Sequence, residues 1–369
     1  MKKVLWIGTV VDDNQAIKEP AISLAANYWQ LGMMNALVAN DYLIEIIGIV
    51  PQRTFPYGKL RSKSTVFQSE FINGKYFSYF NIAGIRSVML KYLYYYNTAN
   101  RLKDIGKIDL VIIYNIVPDL NSTIKFIKRK TGATIIGIVA DVFRNKLKQH
   151  FASEVIYDKL LYLSYSLYLD SKHPGKLFLE GGIERIHSVN VDFSIVKKII
   201  FYSGGIGGHG GLDLLLDAYK YFCRNDIELW VCGKGYNKKL FSMINKDNSI
   251  KYFGVLTKTE LTQKAKCAYV LVNPRPSHYE NNYFNFPSKI LEYLSYSRII
   301  ISTKTAGLSP DYLKALEILP EETPEILCDA LKRVLNYSSL EYQSKIYIQN
   351  SLAITKLWEN QISKVIDIV

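Results

Sequence analysis

Short apolar runs alternate with helix-like stretches through both halves of this 369-residue chain. That order restricts it to parallel sheets covered on both faces. In the first half the strand-like runs are Lys3–Val10, Ile44–Val50, Leu110–Tyr114 and Thr134–Val139. Helical patterning occupies Ala21–Ala39, Ser87–Lys103 and Asn121–Lys130, and an irregular, basic, aromatic segment covers Gln52–Tyr79. In the second half Lys198–Tyr202, Glu228–Cys232, Ile250–Phe253, Tyr269–Asn273 and Ile299–Ser302 read as strands. Leu212–Phe222, Tyr236–Ile244, Lys258–Lys266, Ser288–Ser295 and Thr323–Leu335 read as the helices between them. The length suits two domains. We therefore expect domains at 1–195 and 196–340, and a helical tail, 341–369, packing back toward the first.

Apolar content of 49% and charged content of 21% imply globular folding rather than disorder. No apolar run approaches the ~18–20 residues that span a bilayer. The start, Met1–Val11, is stopped by Asp12 and Asp13 with no small-residue cleavage site, so it reads as a buried strand and not an export signal. Cys223, Cys232, Cys267 and Cys328 have neither metal-ligand spacing nor the density of a disulfide framework, which implies a reducing cytoplasm. The net charge of +13 leans toward the first half, with 24 Lys and Arg against 16 Asp and Glu up to residue 195. Such an excess attracts nucleic acid, anionic lipid and phosphorylated ligands alike. No nucleic-acid-binding module accompanies it, so nucleic acid is not expected as a partner.

The stretch Asn285-Phe286-Pro287-Ser288-Lys289-Ile290-Leu291-Glu292-Tyr293-Leu294 reads as a helix start built around an anion. Proline suits the first helical position, and the amides of Ser288, Lys289 and Ile290 would then point out of the positive helix end. Ser288 adds a hydroxyl and Lys289 an ammonium, which together suit a phosphate. Glu292 shares their helical face. A carboxylate cannot hold the phosphate, so it is suited to sugar hydroxyls such as those of a ribose.

Gly205-Ile206-Gly207-Gly208-His209-Gly210 matches the dinucleotide fingerprint letter for letter between a strand and a helix. A nicotinamide-dependent oxidoreductase would also need a carboxylate at the end of the next strand. That strand ends Trp230-Val231-Cys232-Gly233-Lys234-Gly235, without one. Six glycines between Ser203 and Gly211, among them Gly204, Gly205 and Gly207, still let backbone approach a ligand and offer amides to an anion. Two anion-favouring corners on one sheet edge suit a diphosphate, and Gly233 and Lys234 can flank a base there.

In order along the chain, Tyr202-Ser203-Gly204-Gly205, Gly211-Leu212-Asp213, Leu229–Gly235, Tyr252-Phe253-Gly254, Asn273-Pro274-Arg275-Pro276 and Phe286–Leu294 resemble the family 4 retaining glycosyltransferases. The resemblance is to the bacterial surface-polysaccharide type with a Pro-Ser-Lys…Glu-Tyr signature, and covers about residues 196–310. It implies the GT-B fold: α/β, two Rossmann-like domains facing across a cleft, nucleotide-sugar on the second and acceptor on the first. Ser288 and Lys289 would hold the diphosphate and Glu292 the ribose. Two departures stand out. Gly205 and Gly210 occupy places where many members carry Arg and Lys, which shifts charge neutralisation to Lys289, backbone amides and His209 or Arg275. Phe284 stands where the first of the family's two acidic residues belongs, and Glu280 is out of register.

The implied reaction moves a sugar from a nucleoside diphosphate-sugar to a glycan or lipid-linked acceptor. Leaving-group stabilisation by Lys289 and amides is its main catalytic device, and no metal or other cofactor is required. A catalytically inactive nucleotide-sugar-binding partner subunit is the alternative. Asp141, after the run Ile135–Ala140, is the first-domain candidate for contacting reacting groups, and Gly8 and Thr9 would admit the acceptor. Aromatic and basic residues mingle in Ser87–Lys103, and Lys125, Lys128, Arg129 and Lys130 form a second basic face. Both suit an anionic membrane surface, which would put a cytoplasmic enzyme at the inner face of the cytoplasmic membrane.

Overall fold

The computed structural model describes every residue except 20, 143–146, 188–192, 194–196, 223–225 and 368–369. Cys223 and the expected domain boundary at 195 lie outside the described residues. The chain forms two compact units, one of residues 1–182 with 361–369 and the other of residues 183–360.

The first unit is built on an eight-stranded sheet: β1 (Lys2–Ile7), β2 (Tyr42–Gly48), β3 (Thr65–Gln68), β4 (Ile72–Tyr76), β5 (Leu110–Tyr114), β6 (Thr134–Val139), β7 (Lys159–Tyr162) and β8 (Lys176–Phe178). Their order is β3-β4-β2-β1-β5-β6-β7-β8. All neighbours run parallel except β3 and β4, with Val4 opposite Ile44 on one side and Leu110 on the other. Val4 to Ile7 and Leu110 to Ile113 are buried, as expected of strands covered on both faces. The segment Gln52–Tyr79 is not irregular throughout, because it contains β3 and β4. β4 alternates buried with exposed positions and β3 half-buried with exposed ones, and Asn73 and Gly74 interrupt the apolar signal.

The second unit holds β9 (Lys198–Ser203), β10 (Ile227–Cys232), β11 (Ile250–Tyr252), β12 (Val270–Asn273), β13 (Ile299–Ser302) and β14 (Glu317–Ile318). This sheet is wholly parallel, in the order β11-β10-β9-β12-β13-β14. Its core gathers Ile200, Leu229, Val231, Val270, Val272 and Ile301 beneath Leu215, Leu216 and Leu331 of the covering helices.

The second unit begins at Ile183, thirteen residues before the expected start at 196. Ile183 donates its N–H to Lys356 O at 2.8 Å and accepts the N–H of Trp358 at 3.0 Å, which fixes it there. The expected tail is divided. Its helix Ser339–Thr355 packs on the second sheet, where Tyr342 OH reaches Tyr269 O at 2.6 Å and Gln349 Nε2 reaches Arg298 O at 2.8 Å. The segment from Gln361 onward belongs to the first unit.

Candidate active site

In the second sheet the strand order reverses between β9 and β12, the place where an open parallel sheet leaves a crevice beyond its carboxyl ends. The glycine loop follows β9, and the segment from Pro274 to Ser288 follows β12. The two touch backbone to backbone: Gly211 has φ +79°, and a Cβ there would lie 1.8 Å from Pro274 O. A third connection joins them after β10. Gly233 has φ +140°, and its Cβ would fall 1.6 Å from Gly204 O. Gly204 N–H donates to Cys232 O at 3.0 Å, and Ile206 N–H to Lys234 O at 3.1 Å. The six glycines of the loop therefore have different duties. Gly211 is required by packing, whereas added Cβ atoms at Gly205 and Gly207 would meet nothing nearer than His209, at 3.5 and 3.9 Å.

Beneath the loop, Tyr202 OH donates to Gly205 O at 2.7 Å, with Gly210 O at 3.2 Å. Burial raises the Tyr202 pKa against the opposing charge of Arg275, so the hydroxyl stays a donor. Arg275 itself donates through Nε to Asn282 Oδ1 at 2.5 Å, and Nη1 lies 3.5 Å from Phe286 O. The buried Asn282 spends its amide on Pro276 O at 2.7 Å and His209 O at 3.3 Å. One side chain thus ties Arg275 to the glycine loop. Nothing in the sequence singled out Asn282, since a lone Asn in the polar run Glu280-Asn281-Asn282 carries no pattern.

The Pro287-Ser288-Lys289 corner departs from its expected form. The helix runs Lys289–Leu294 with Ser288 as its cap, so Pro287 precedes the helix rather than opening it. Ser288 N–H is bonded to Phe286 O and Ile290 N–H to Pro287 O, both at 2.9 Å, because the chain turns tightly after the proline. Of the three amides expected to face an anion, only that of Lys289 is left without a partner among the described residues. The Ser288 side chain is exposed and makes no cap bond, and Lys289 is partly exposed. Lys289 Nζ lies 2.6 Å from Glu292 Oε2, and Tyr296 OH donates to Glu292 Oε1 at 3.3 Å. Phe286 and Pro287 are buried, Phe286 packing edge-on against Tyr312 with centroids 5.6 Å apart. They support the corner rather than face solvent.

Lys264 was also not anticipated. Burial pushes the Cys232 thiol up to about 12 against the opposing charges of Lys289 and Lys264, so both ammonium groups act at the end of β10. Lys264 Nζ sits 4.9 Å from the Trp230 ring centroid and 4.3 Å from that of Phe253. Lys234 is exposed beside Gly233. All the expected donor residues therefore lie on one edge of one sheet. Phe284, in place of an acidic residue, is buried and packs edge-on to Tyr283, and Glu280 is exposed.

In the first unit Gly8 and Thr9 follow β1, and Asp141 lies two residues past the end of β6. A Cβ at Gly8 would lie 2.5 Å from Gln30 Oε1 and 2.6 Å from Trp6 Nε1, two atoms already hydrogen-bonded at 3.0 Å. Internal packing thus accounts for this glycine. Thr9 Oγ1 donates to Ile49 O at 2.6 Å. The exposed Asp141 is placed by Asn115, whose Oδ1 accepts the amides of Ala140 at 3.3 Å and Asp141 at 3.1 Å. Its charge reaches the half-buried Tyr114, whose pKa is raised by burial of the hydroxyl first and by Asp141 second.

Among the described residues no cluster of three or more His, Cys, Asp or Glu side chains is arranged to hold a metal ion. Residues 197–337 match the family model described as Glycosyl transferases group 1. No curated protein matches the chain significantly in sequence. Over its whole length the chain is similar in structure to a sucrose-phosphate synthase from Thermosynechococcus elongatus, with a TM-score of 0.74, 13% identity and 98% of that chain covered. It is similar also to the catalytic domain of starch synthase IV from Arabidopsis thaliana bound to ADP and acarbose (TM-score 0.67, 9% identity, 99% of this chain and 98% of that one). A third is the Anabaena protein HepE in complex with UDP and glucose (TM-score 0.65, 10% identity, all of both chains). These likenesses establish the GT-B fold.

Proposed function

We propose that this chain, with its group 1 glycosyl transferase domain at 197–337, moves a sugar from a nucleoside diphosphate-sugar to a glycan or lipid-linked acceptor with retention of anomeric configuration. The observation that carries the reading is the convergence of the glycine loop, Arg275, Lys289 and Glu292 on the carboxyl edge of the second sheet, at its strand-order reversal. Arg275 and Lys289 are assigned to the two phosphates, the Gly204–Gly207 backbone to their oxygens, and Glu292 to the ribose. As the glycosidic bond breaks, charge grows on the leaving phosphate, where fixed cations and amides count for more than in the ground state. The departing phosphate then takes the proton of the attacking hydroxyl, so no separate base is assigned. Asp141 is placed beside the acceptor, and transfer proceeds without a metal ion.

By its resemblance to the surface-polysaccharide type of family 4, the enzyme acts in bacterial surface polysaccharide synthesis, in the cytoplasm at the inner face of the membrane. No helix among the described residues is long and apolar enough to cross a membrane. A panel of nucleoside diphosphates in thermal-shift titrations tests the reading, because a ligand that binds only the folded state raises Tm with the logarithm of its saturation. Wild type should be stabilised by one base and turn over the matching sugar nucleotide, and Lys289→Ala should lose ~10–100-fold in rate. Stabilisation without turnover in any sugar-nucleotide assay would favour the inactive partner-subunit reading. Absence of stabilisation would end the proposal.

A further inference from the structure

One face of the first unit is apolar and uncovered among the described residues. The helix Ile85–Asp104 presents Ile85, Val88, Tyr92 and Tyr96 at helical spacing, so they form one stripe along its axis. They are 58%, 59%, 69% and 65% exposed. The opposite side holds the helix in place: Thr98 is fully buried, Tyr94 packs edge-on against Phe77 at 4.9 Å, and Arg101 pairs with Glu45 at 2.5 Å. The usual arrangement, apolar face inward, is reversed along the stripe.

The stripe continues past the start of the helix onto a loop. Asn81 clamps that loop, accepting the Phe55 N–H at 3.0 Å and donating to Leu60 O at 2.8 Å through its backbone, while its amide donates to Arg53 O at 2.5 Å. Arg86, in the first turn of the helix, reaches Gln52 O at 3.3 Å and Asn81 Oδ1 at 3.1 Å. Phe55, Leu60 and Phe80 are thereby held exposed near the helix start, with Tyr57 86% exposed at the tip. Between Gln52 and Lys103 the chain has nine Lys and Arg and a single acidic residue, Glu70. Arg53, Lys59, Arg61, Lys63 and Lys91 are exposed among or beside these apolar groups. Along the flank, Tyr95 packs against Phe126 at 4.9 Å, which sets the exposed Lys125 near the same face. Lys128 is instead bonded to Asp158 at 2.5 Å.

We propose that this surface docks the first unit on an anionic lipid bilayer. The tip Tyr57, Phe55 and the stripe Ile85–Val88–Tyr92–Tyr96 enter the headgroup boundary, and the exposed cations meet lipid phosphates. Tyrosine suits that boundary, since its ring is apolar and its hydroxyl stays wet. Exposed aliphatic groups such as Leu60, Ile85 and Val88 gain nothing from a nucleic-acid backbone. A second copy would bring the same positive charge to the contact and be repelled. The inference rests on the functional reading only for the compartment, and lipid binding is measured without any sugar nucleotide.

The test is co-sedimentation of the full chain with vesicles of phosphatidylglycerol and phosphatidylcholine, against vesicles of phosphatidylcholine alone. The chain should pellet with the anionic vesicles only, and less so when salt rises from ~0.05 to ~0.5 M. Tyr57→Ser/Tyr92→Ser and Lys59→Glu/Lys63→Glu should each weaken vesicle binding at least ~10-fold with an unchanged melting curve. Nucleotide stabilisation of the same samples should not move, which separates a failure here from failure of the transferase reading. The proposal falls if the wild type stays in the supernatant, or if both double variants pellet like it. It falls equally if the aromatic variant merely abolishes a dimer seen by light scattering.

Discussion

Lys289 Nζ and Glu292 Oε2 lie 2.6 Å apart, one turn along a single helix. The cation assigned to a phosphate and the carboxylate assigned to a ribose thus satisfy each other until a donor arrives. Both are partly exposed, with 34% and 25% of their side chains accessible, so the pair contributes little to stability. A diphosphate carries more charge than one carboxylate and can draw the ammonium away, which frees Glu292 Oε2 to accept hydroxyls.

Glu292→Gln separates the two roles. Inorganic pyrophosphate, which has no ribose, should bind as well as or better than to wild type, because nothing anionic competes for Lys289. UDP or GDP should bind ~10-fold more weakly, the cost of a charged hydrogen bond. Titration calorimetry with both ligands checks this. If the two affinities move together, Glu292 does not hold the ribose.

Gly233→Ala and Gly205→Ala should differ in kind. The first puts a Cβ 1.6 Å from Gly204 O at φ +140° and should cost more than ~2–3 kcal/mol of stability, read as a large fall in Tm. The second has 3.5 Å of clearance to His209, so melting should hardly change while nucleoside diphosphate affinity drops. Equal affinities for wild type and Gly205→Ala would remove that glycine from the donor site.

Asn282→Ala removes one partner of Arg275 and leaves the carbonyl of buried Pro276 and that of His209 without their donor. We expect a loss of ~1–3 kcal/mol in stability. Nucleoside diphosphate affinity should fall while that for the bare nucleoside stays put. A nucleoside effect of the same size would mean the loop had simply come apart.

Glu317 contributes to the pH dependence of the second unit, together with the ion-paired Asp217 and Glu228. Burial acts to raise its pKa, but Lys345 at 2.6 Å, Arg333 and Tyr337 together hold it below the ordinary 4.5. A carboxylate depressed in the folded state stabilises fully above its unfolded pKa and loses that contribution as pH falls through the folded one. Glu317→Gln should therefore lower Tm at pH 7, by an amount equivalent to about 1–2 kcal/mol. The gap should close as pH drops below 4.5. A gap independent of pH would assign the effect to packing.

The interior strands were legible because parallel strands buried on both faces are written as unbroken apolar runs. Leu110–Tyr114, Thr134–Val139 and Ile299–Ser302 fall where expected. β4 was not, because Asn73, Gly74 and Lys75 interrupt its signal. The donor edge was legible where glycines cluster or a Pro-Ser-Lys corner stands. What escaped depended on tertiary contact. Phe286 O and Pro287 O capturing amides, Asn282 bridging two loops and Lys264 resting on Trp230 are juxtapositions that no local spacing encodes.

Both sheets taper at their margins. β3 has four residues, β8 and β11 three each and β14 two. So few open backbone groups make poor templates for adding a foreign strand. Any assembly this chain enters, with itself or another protein, will be read through side-chain chemistry rather than through a shared ladder, and surface substitutions should suffice to prevent it.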